Sequence, residues 1–261
     1  MTSLYGLIGK KLGHSLSPKI HRFIAEKLNL ELDYRLFEVA GENAGNIVAA
    51  LKTLSITGAN ITIPYKTTVL SQLDELSPQA AAIGAVNTIS INSGKATGYN
   101  TDYYGIEKTF EKLGFEPEGK FAVVLGNGGA SKAVQACLID KGIAELAVIT
   151  RHDDWYPGYE HLARISEKDI IINATPVGMY PDEEKSPVSE EILQKFDYAF
   201  DLVFNPFSTL FTKRARNAGL RVENGLYMLI FQAIRAQEIW HNIKIGDAVG
   251  NLLYEQAKTW L

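Results

Sequence analysis

Several short polar motifs in the first half of the chain carry side chains able to do chemistry. They are Gly13-His14-Ser15-Leu16-Ser17-Pro18, Asn60-Ile61-Thr62-Ile63-Pro64-Tyr65-Lys66, Gly84-Ala85-Val86-Asn87-Thr88 and Gly98-Tyr99-Asn100-Thr101-Asp102. Hydroxyls, an amide, one ammonium and one carboxylate together suit a ligand bearing several hydroxyls and a carboxylate. A further motif, Gly126-Asn127-Gly128-Gly129-Ala130, follows the continuous apolar run Phe121–Leu125. Glycines let a backbone approach a pyrophosphate, and the free N–H groups and dipole of a following helix favour its negative charge. Ser131 stands where the third glycine of a G-x-G-x-x-G pattern falls, so the loop alone reads equally well as a tight turn. A strand before it and a helix after it favour a dinucleotide.

The elements that must position these groups follow from the pattern. Residues 5–9 read as a short buried strand, and Ser17-Pro18 opens a helix with serine as its N-cap. The apolar face of that helix is Ile20, Phe23, Ile24 and Leu28. Residues 34–39 read as a strand, 44–54 as a helix, and 58–63 as a strand stopped by Pro64. Residues 87–91 and 96–99 form a hairpin around Asn92-Ser93-Gly94, followed by a helix from Asp102 to Leu113. A Gly/Pro/Glu-rich break at 114–120 marks the passage into a second domain. After the glycine loop come a helix through Ile139, strands at 146–150, 170–173 and 198–201, and amphipathic helices at 228–240 and 248–260. Alternating strands and helices are the signature of α/β layers with parallel strands. In such sheets ligands bind beyond the strand ends, where the polar motifs lie.

The composition supports a buried core: 261 residues, 46% hydrophobic and 21% charged. A net charge of -4 offers no basic footprint for nucleic acid, so an anionic ligand needs local positive groups. One cysteine, Cys137, excludes an intrachain disulfide and fits a reducing cytoplasm. The first residues lack the basic flank and apolar run of a signal peptide, and no stretch reaches the roughly 20 apolar residues of a membrane span. His14 and His21 have no companion ligands at metal-binding spacing.

At the end of the second strand of the nucleotide half stands Thr150-Arg151-His152-Asp153-Asp154. Arg151 can clamp a 2′-phosphate, whereas an acid there would bond a ribose hydroxyl. Each candidate also has a bland explanation. Ser17 and Asp102 can serve as helix caps, Asn87 and Thr88 can simply start a hairpin, and Lys66 is by default a surface lysine. Gln232 differs, because an amide in an apolar helical stretch needs a partner. Cys137 reads as a small buried residue, and the late aromatic residues as core packing.

In order and spacing, these motifs resemble those of the shikimate dehydrogenase family, and the resemblance covers nearly the whole chain. It extends to Asn173-Ala174-Thr175-Pro176-Val177-Gly178-Met179 and to the segment from Asn224 to Ala233. It implies an N-terminal α/β substrate domain (1–101, completed by terminal helices 236–261) and a C-terminal Rossmann dinucleotide-binding domain (102–235). The expected activity is reversible NADPH-linked reduction of 3-dehydroshikimate to shikimate, serving aromatic amino-acid biosynthesis. By the same resemblance Ser15 and Ser17 hold the substrate carboxylate, Thr62, Asn87 and Gln232 meet its hydroxyls, and Lys66 and Asp102 form the catalytic pair. Lys66 delivers a proton to the developing alkoxide and Asp102 orients it. Gly126, Asn127, Gly128, Gly129, Ala130, Thr150, Arg151 and His152 are expected to hold NADP, with Leu202 and Gly225 near its nicotinamide end. Phe204 occupies a position where many members place a substrate-touching tyrosine. The second basic residue usual after Arg151 is not evident, and Asp153 stands near where NAD-using relatives place an acid, so NAD use stays open.

The expectation is a cytoplasmic monomer or homodimer with no metal. The neighbouring alternative is an NAD-linked quinate/shikimate dehydrogenase, which tolerates an extra ring hydroxyl. A non-catalytic Rossmann metabolite sensor would need neither Lys66 nor Asp102. A structural α/β protein would need no ordered polar cluster.

Overall fold

The computed structural model describes residues 3–13, 15–150 and 169–261. In chain order the elements begin with β1 (Ser3–Gly9), α1 (Ser17–Leu28), β2 (Leu32–Glu38), α2 (Ile47–Thr53) and β3 (Gly58–Ile61). They continue with β4 (Glu75–Leu76), α3 (Pro78–Ile83), β5 (Thr88–Asn92), β6 (Lys95–Tyr99) and α4 (Asp102–Leu113). Next come β7 (Phe121–Leu125), α5 (Gly129–Asp140), β8 (Glu145–Ile149), β9 (Ile170–Asn173), α6 (Glu190–Leu193) and β10 (Tyr198–Asp201). The chain closes with α7 (Leu210–Asn217), β11 (Arg221–Glu223), α8 (Gly225–His241) and α9 (Asp247–Ala257). It divides into one unit of Met1–Asp102 with Ile230–Gln256 and another of Tyr103–Leu229 with Ala257–Leu261. The return to the first unit thus falls inside α8.

The first unit holds a six-stranded mixed sheet in the order β2-β1-β3-β5-β6-β4. β1 runs parallel to both β2 and β3, while β5 is antiparallel to β3 and β6 to β5. Alternate residues of β1 face opposite layers. Leu4 and Ile8 pack with Val48, Leu51, Ile61 and Ile89, whereas Tyr5 and Leu7 pack with Tyr34, Ala236 and Trp240. Trp240 stacks on Tyr5 at 4.6 Å and donates its indole N–H to the Ile89 carbonyl at 2.9 Å, which fastens α8 to the sheet.

The second unit holds a parallel five-stranded sheet in the order β11-β10-β9-β7-β8. Its inner strands β7 and β9 are short and almost wholly apolar, as expected where both faces are covered. β7 has β8 on one side and β9 on the other, so the strand order reverses there. Cys137, in α5, is fully buried, and burial pushes its thiol up to about 12.

Three local readings change. Residues 44–54 do not form one helix: Gly41–Asn46 is 3-10 and the α-helix begins at Ile47. Gly45 and Asn46 are poor helix formers, and Gln72 takes the Val48 N–H and the Ala44 carbonyl. β3 stops at Ile61, ahead of a turn through a cis Ile63-Pro64 bond. The hairpin turn is only Ser93-Gly94, both at positive φ, so Asn92 and Lys95 pair as strand residues.

Candidate functional site

In the first unit, topology gathers the polar motifs at one edge of the sheet. β1 and β3 are parallel and end there, at Gly9 and Ile61. β5 runs the other way, so its beginning, Asn87-Thr88, lies at that edge, with Thr88 paired to Asn60. β6 reverses again and ends beside Thr88 at Tyr99, delivering Asn100, Thr101 and Asp102. A purely parallel reading would not place Asn87 among these groups.

Side-chain bonds then join the motifs. Lys66 Nζ lies 2.6 Å from Asp102 Oδ2, and the two side chains are 15% and 7% exposed. Asn87 Nδ2 donates to Asp102 Oδ1 at 2.8 Å and reaches Gln232 Oε1 at 3.5 Å. Asn87 Oδ1 accepts from the Thr101 N–H at 2.7 Å and from Thr88 Oγ1 at 3.1 Å. Thr88 accepts in turn from Asn60 Nδ2 at 3.0 Å, and Asn60 Oδ1 accepts from Tyr34 at 2.8 Å. These bonds fix both amide orientations. Asn87 cannot flip without facing an N–H with an N–H.

Both cap explanations fall away. The N-cap of α1 is Leu16, with Ser17 the first helical residue. Ser17 instead receives the Ser15 hydroxyl at 3.2 Å and donates its own N–H to Ser15 Oγ at 3.2 Å. Asp102 opens α4, yet its carboxylate oxygens go to Lys66 and Asn87. Thr62 follows β3 and is half-buried, its N–H on the Ile8 carbonyl. Tyr65 sits in the core with its hydroxyl on the Val39 carbonyl at 2.5 Å, anchoring the turn that carries Lys66. His14 lies outside the described residues. His21 is buried and stacked on Tyr34 at 4.1 Å, with Nδ1 against Gln237, and burial pushes it down to about 3. It is a neutral packing residue. Among the described residues no group of three or more His, Cys, Asp or Glu could hold a metal ion, and no helix is long and apolar enough to cross a membrane.

In the second unit the glycine loop leaves β7 where the strand order reverses, the place at which an open α/β sheet binds nucleotides. Gly126 has φ +97°, and a Cβ there would meet the Ala174 carbonyl at 3.1 Å. Gly128 caps α5 with no side chain, and the first turn of α5 holds no acid. Its leading N–H groups are therefore suited to an anionic ligand. Ser131 answers the missing third glycine: it is buried and donates to the Gly126 carbonyl at 2.7 Å, closing the turn from within the helix. Asn127 and Gly128 are exposed, and Gly129 and Ala130 half-buried. At the end of β8 the Thr150 hydroxyl is buried with no partner among the described residues. Arg151, His152 and Asp153 lie outside the described residues. Leu202 follows β10 with its N–H on the Asn173 carbonyl, and Gly225 presses so close that a Cβ would sit 2.1 Å from the Leu202 carbonyl. Phe204 is half-buried in the same segment of the second unit.

Sequence reasoning left Asn60, Thr101 and Asp201 without a role. Asp201 ends an apolar strand, which is an available signal, whereas Asn60 lies within β3 and Thr101 two residues beyond the mixed strand β6. All three are buried. Asp201 accepts from Asn173 Nδ2 at 2.9 Å, the Val203 N–H at 3.1 Å and Thr209 Oγ1 at 2.6 Å. Burial pushes its carboxyl up to about 6, against the pull of those three donors.

Ser17→Ala isolates function from folding at one position. With no cap to lose, only its side-chain bonds to Ser15 and Tyr34 go, and its melting temperature should fall by no more than about 2–4 °C. If Ser17 holds a ligand carboxylate, ligand affinity should fall roughly tenfold, the worth of one charge-assisted hydrogen bond. Kinetics beside a thermal melt separate the two, and an unchanged affinity would make Ser17 purely structural.

Residues 7–89 match the pattern of the shikimate dehydrogenase substrate binding domain. A shikimate dehydrogenase (NADP(+)) of Clostridium perfringens is 43% identical over 98% of each chain. The crystal structure of shikimate dehydrogenase 1 from Peptoclostridium difficile superposes with a TM-score of 0.92, at 44% identity over 98% of each chain. A chorismate mutase/shikimate 5-dehydrogenase fusion protein from Clostridium acetobutylicum gives 0.95 at 42% identity, covering 99% of this chain and 98% of the other.

Proposed function

The chain belongs to the shikimate dehydrogenase family, and from that premise we infer that it reduces 3-dehydroshikimate to shikimate with NADPH, reversibly. The observation that carries the site assignment is the Lys66–Asp102 pair, held at 2.6 Å and tied through Asn87 to Gln232. A protein that only sensed the metabolite would have no use for a buried ammonium–carboxylate pair at the ligand edge.

The second unit fits the cofactor. Its glycine turn, the side-chain-free cap of α5 and the Thr150 hydroxyl, unpartnered among the described residues, suit a pyrophosphate and a ribose-bearing group. NADPH, when bound, supplies the hydride. The protein supplies position and the proton. Lys66 donates from Nζ to the oxygen that becomes the hydroxyl, and in oxidation takes that proton back. Asp102 holds Nζ in place and offers its other oxygen to the same polar network. Ser15 and Ser17 receive the substrate carboxylate, and Thr62, Asn87 and Gln232 its ring hydroxyls. Asn87 already directs its two Nδ2 hydrogens at Asp102 and Gln232, so its bond to substrate shares a donor rather than adding a free one. We place the enzyme in the cytoplasm, in aromatic amino-acid biosynthesis, as a monomer or homodimer.

Following reduced nicotinamide by absorbance, with shikimate and quinate against NADP and NAD, tests the whole reading. Turnover is expected with shikimate and NADP; its absence there would overturn the assignment. Cofactor choice rests on Arg151, whose planar fork meets a 2′-phosphate. Arg151→Ala should weaken NADP by about one to two orders of magnitude and leave NAD nearly untouched. Equal losses for both cofactors would remove Arg151 from that role.

A further inference from the structure

The ends of β9 and β10 are joined through one carboxylate. Asp201 Oδ1 accepts from Asn173 Nδ2 and the Val203 N–H, and Oδ2 from the Thr209 hydroxyl. Each partner governs a different segment. Asn173 accepts the Thr175 N–H at 3.1 Å and its hydroxyl at 2.6 Å, and donates to the Val177 carbonyl at 3.3 Å, shaping the turn after β9. That turn is what Gly126 lies against, since a Cβ there would meet Ala174 and Thr175. Val203 accepts the Gly225 N–H at 3.1 Å, and Gly225 seats on the Leu202 carbonyl. Thr209 receives the Thr212 N–H and caps α7, ending the loop that starts at Leu202. Asn173, Asp201 and Thr209 are each no more than 1% exposed.

We propose that Asp201 is a positioning residue for the cofactor, one carboxylate that sets the Gly126 turn, the Leu202 segment and Gly225 relative to one another. It rests on the reading that these segments hold NADP. A carboxylate is suited to this place because it accepts at both oxygens, and all three donors converge on it. In Asp201→Asn one of those positions becomes a donor. Oδ1 faces two N–H groups, so the amide nitrogen must turn toward Thr209, whose hydroxyl already accepts from Thr212. Thr209 then turns its hydrogen toward Thr212 Oγ1 at 3.3 Å and accepts from the amide with its second lone pair, so the charge-assisted link between β10 and α7 becomes a weaker neutral one, with little change in side-chain volume.

The test compares Asp201→Asn, Thr209→Val and Thr209→Ser with wild type. Measurements are NADPH and shikimate affinity by fluorescence titration, the KM for NADPH, and thermal melts. Asp201→Asn and Thr209→Val should weaken NADPH about tenfold, the worth of one charge-assisted bond, with shikimate affinity within about twofold. Thr209→Ser keeps the hydroxyl and should bind NADPH as wild type does. Lower melting temperatures with unchanged NADPH affinity would overturn the proposal and leave a structural role only. Should Asp201→Asn fail to fold, Thr209→Val and Thr209→Ser decide between those results. A wild-type protein that does not bind NADPH would instead overturn the underlying functional reading.

Discussion

Lys66→Ala is expected to lower kcat by about two to four orders of magnitude while shikimate binding weakens only modestly. The ammonium sits 2.6 Å from Asp102 in a site where its chain is mostly covered, so water has little access to replace it as proton donor. The rest of the polar edge, from Ser15 and Ser17 to Gln232, is untouched by the change and still offers its bonds to substrate. Single-turnover rates and equilibrium titration of shikimate separate the two quantities. A variant with near-normal kcat would end the assignment of Lys66 as the proton-transfer group.

Asp102→Ala should cost activity and also stability, and the second effect has a physical origin the first lacks. Removing one partner of a buried ion pair leaves the other desolvated and uncompensated, typically worth about 3–5 kcal/mol. Lys66 keeps 15% of its side chain exposed, so the low end applies, near 3 kcal/mol. For a chain of this size that lowers the melting temperature by roughly 6–12 °C. The double variant Lys66→Met/Asp102→Asn removes both charges and leaves an acceptor for Asn87. It should melt close to wild type and remain inactive. If the double variant is as unstable as Asp102→Ala, the loss comes from packing or from Asn87, and the uncompensated ammonium is not its cause.

Much of this site was legible because its residues flank strands. Lys66, Asn87 and Asp102 stand in polar motifs at the ends of apolar runs, and that placement alone suggested a ligand edge. What was not legible is who bonds whom. Asn87 and Gln232 are 145 residues apart, and only the antiparallel insertion of β5 brings Asn87 to the edge where β3 ends. Ser131 broke the glycine pattern in sequence, and only its bond to Gly126 shows how the turn closes without a third glycine. Ser17 read as a helix cap because serine before an apolar periodic stretch usually is one. The helix begins one residue earlier than that pattern suggests, with Leu16 as its cap. The two-residue β4 and three-residue β11 carry too little periodicity to be seen at all.

The one thiol of the chain is sealed within α5 and held as S–H far above neutral pH. Thiolate is the form that reacts, so the native protein should be nearly inert to alkylating reagents and mild oxidants. Labelling then requires α5 to leave the sheet, and its rate reads how often the nucleotide half opens. Cys137 thus serves as a built-in clock for cofactor-linked stability, needing no engineered probe. Saturating NADPH should slow that clock in proportion to its affinity for the closed form.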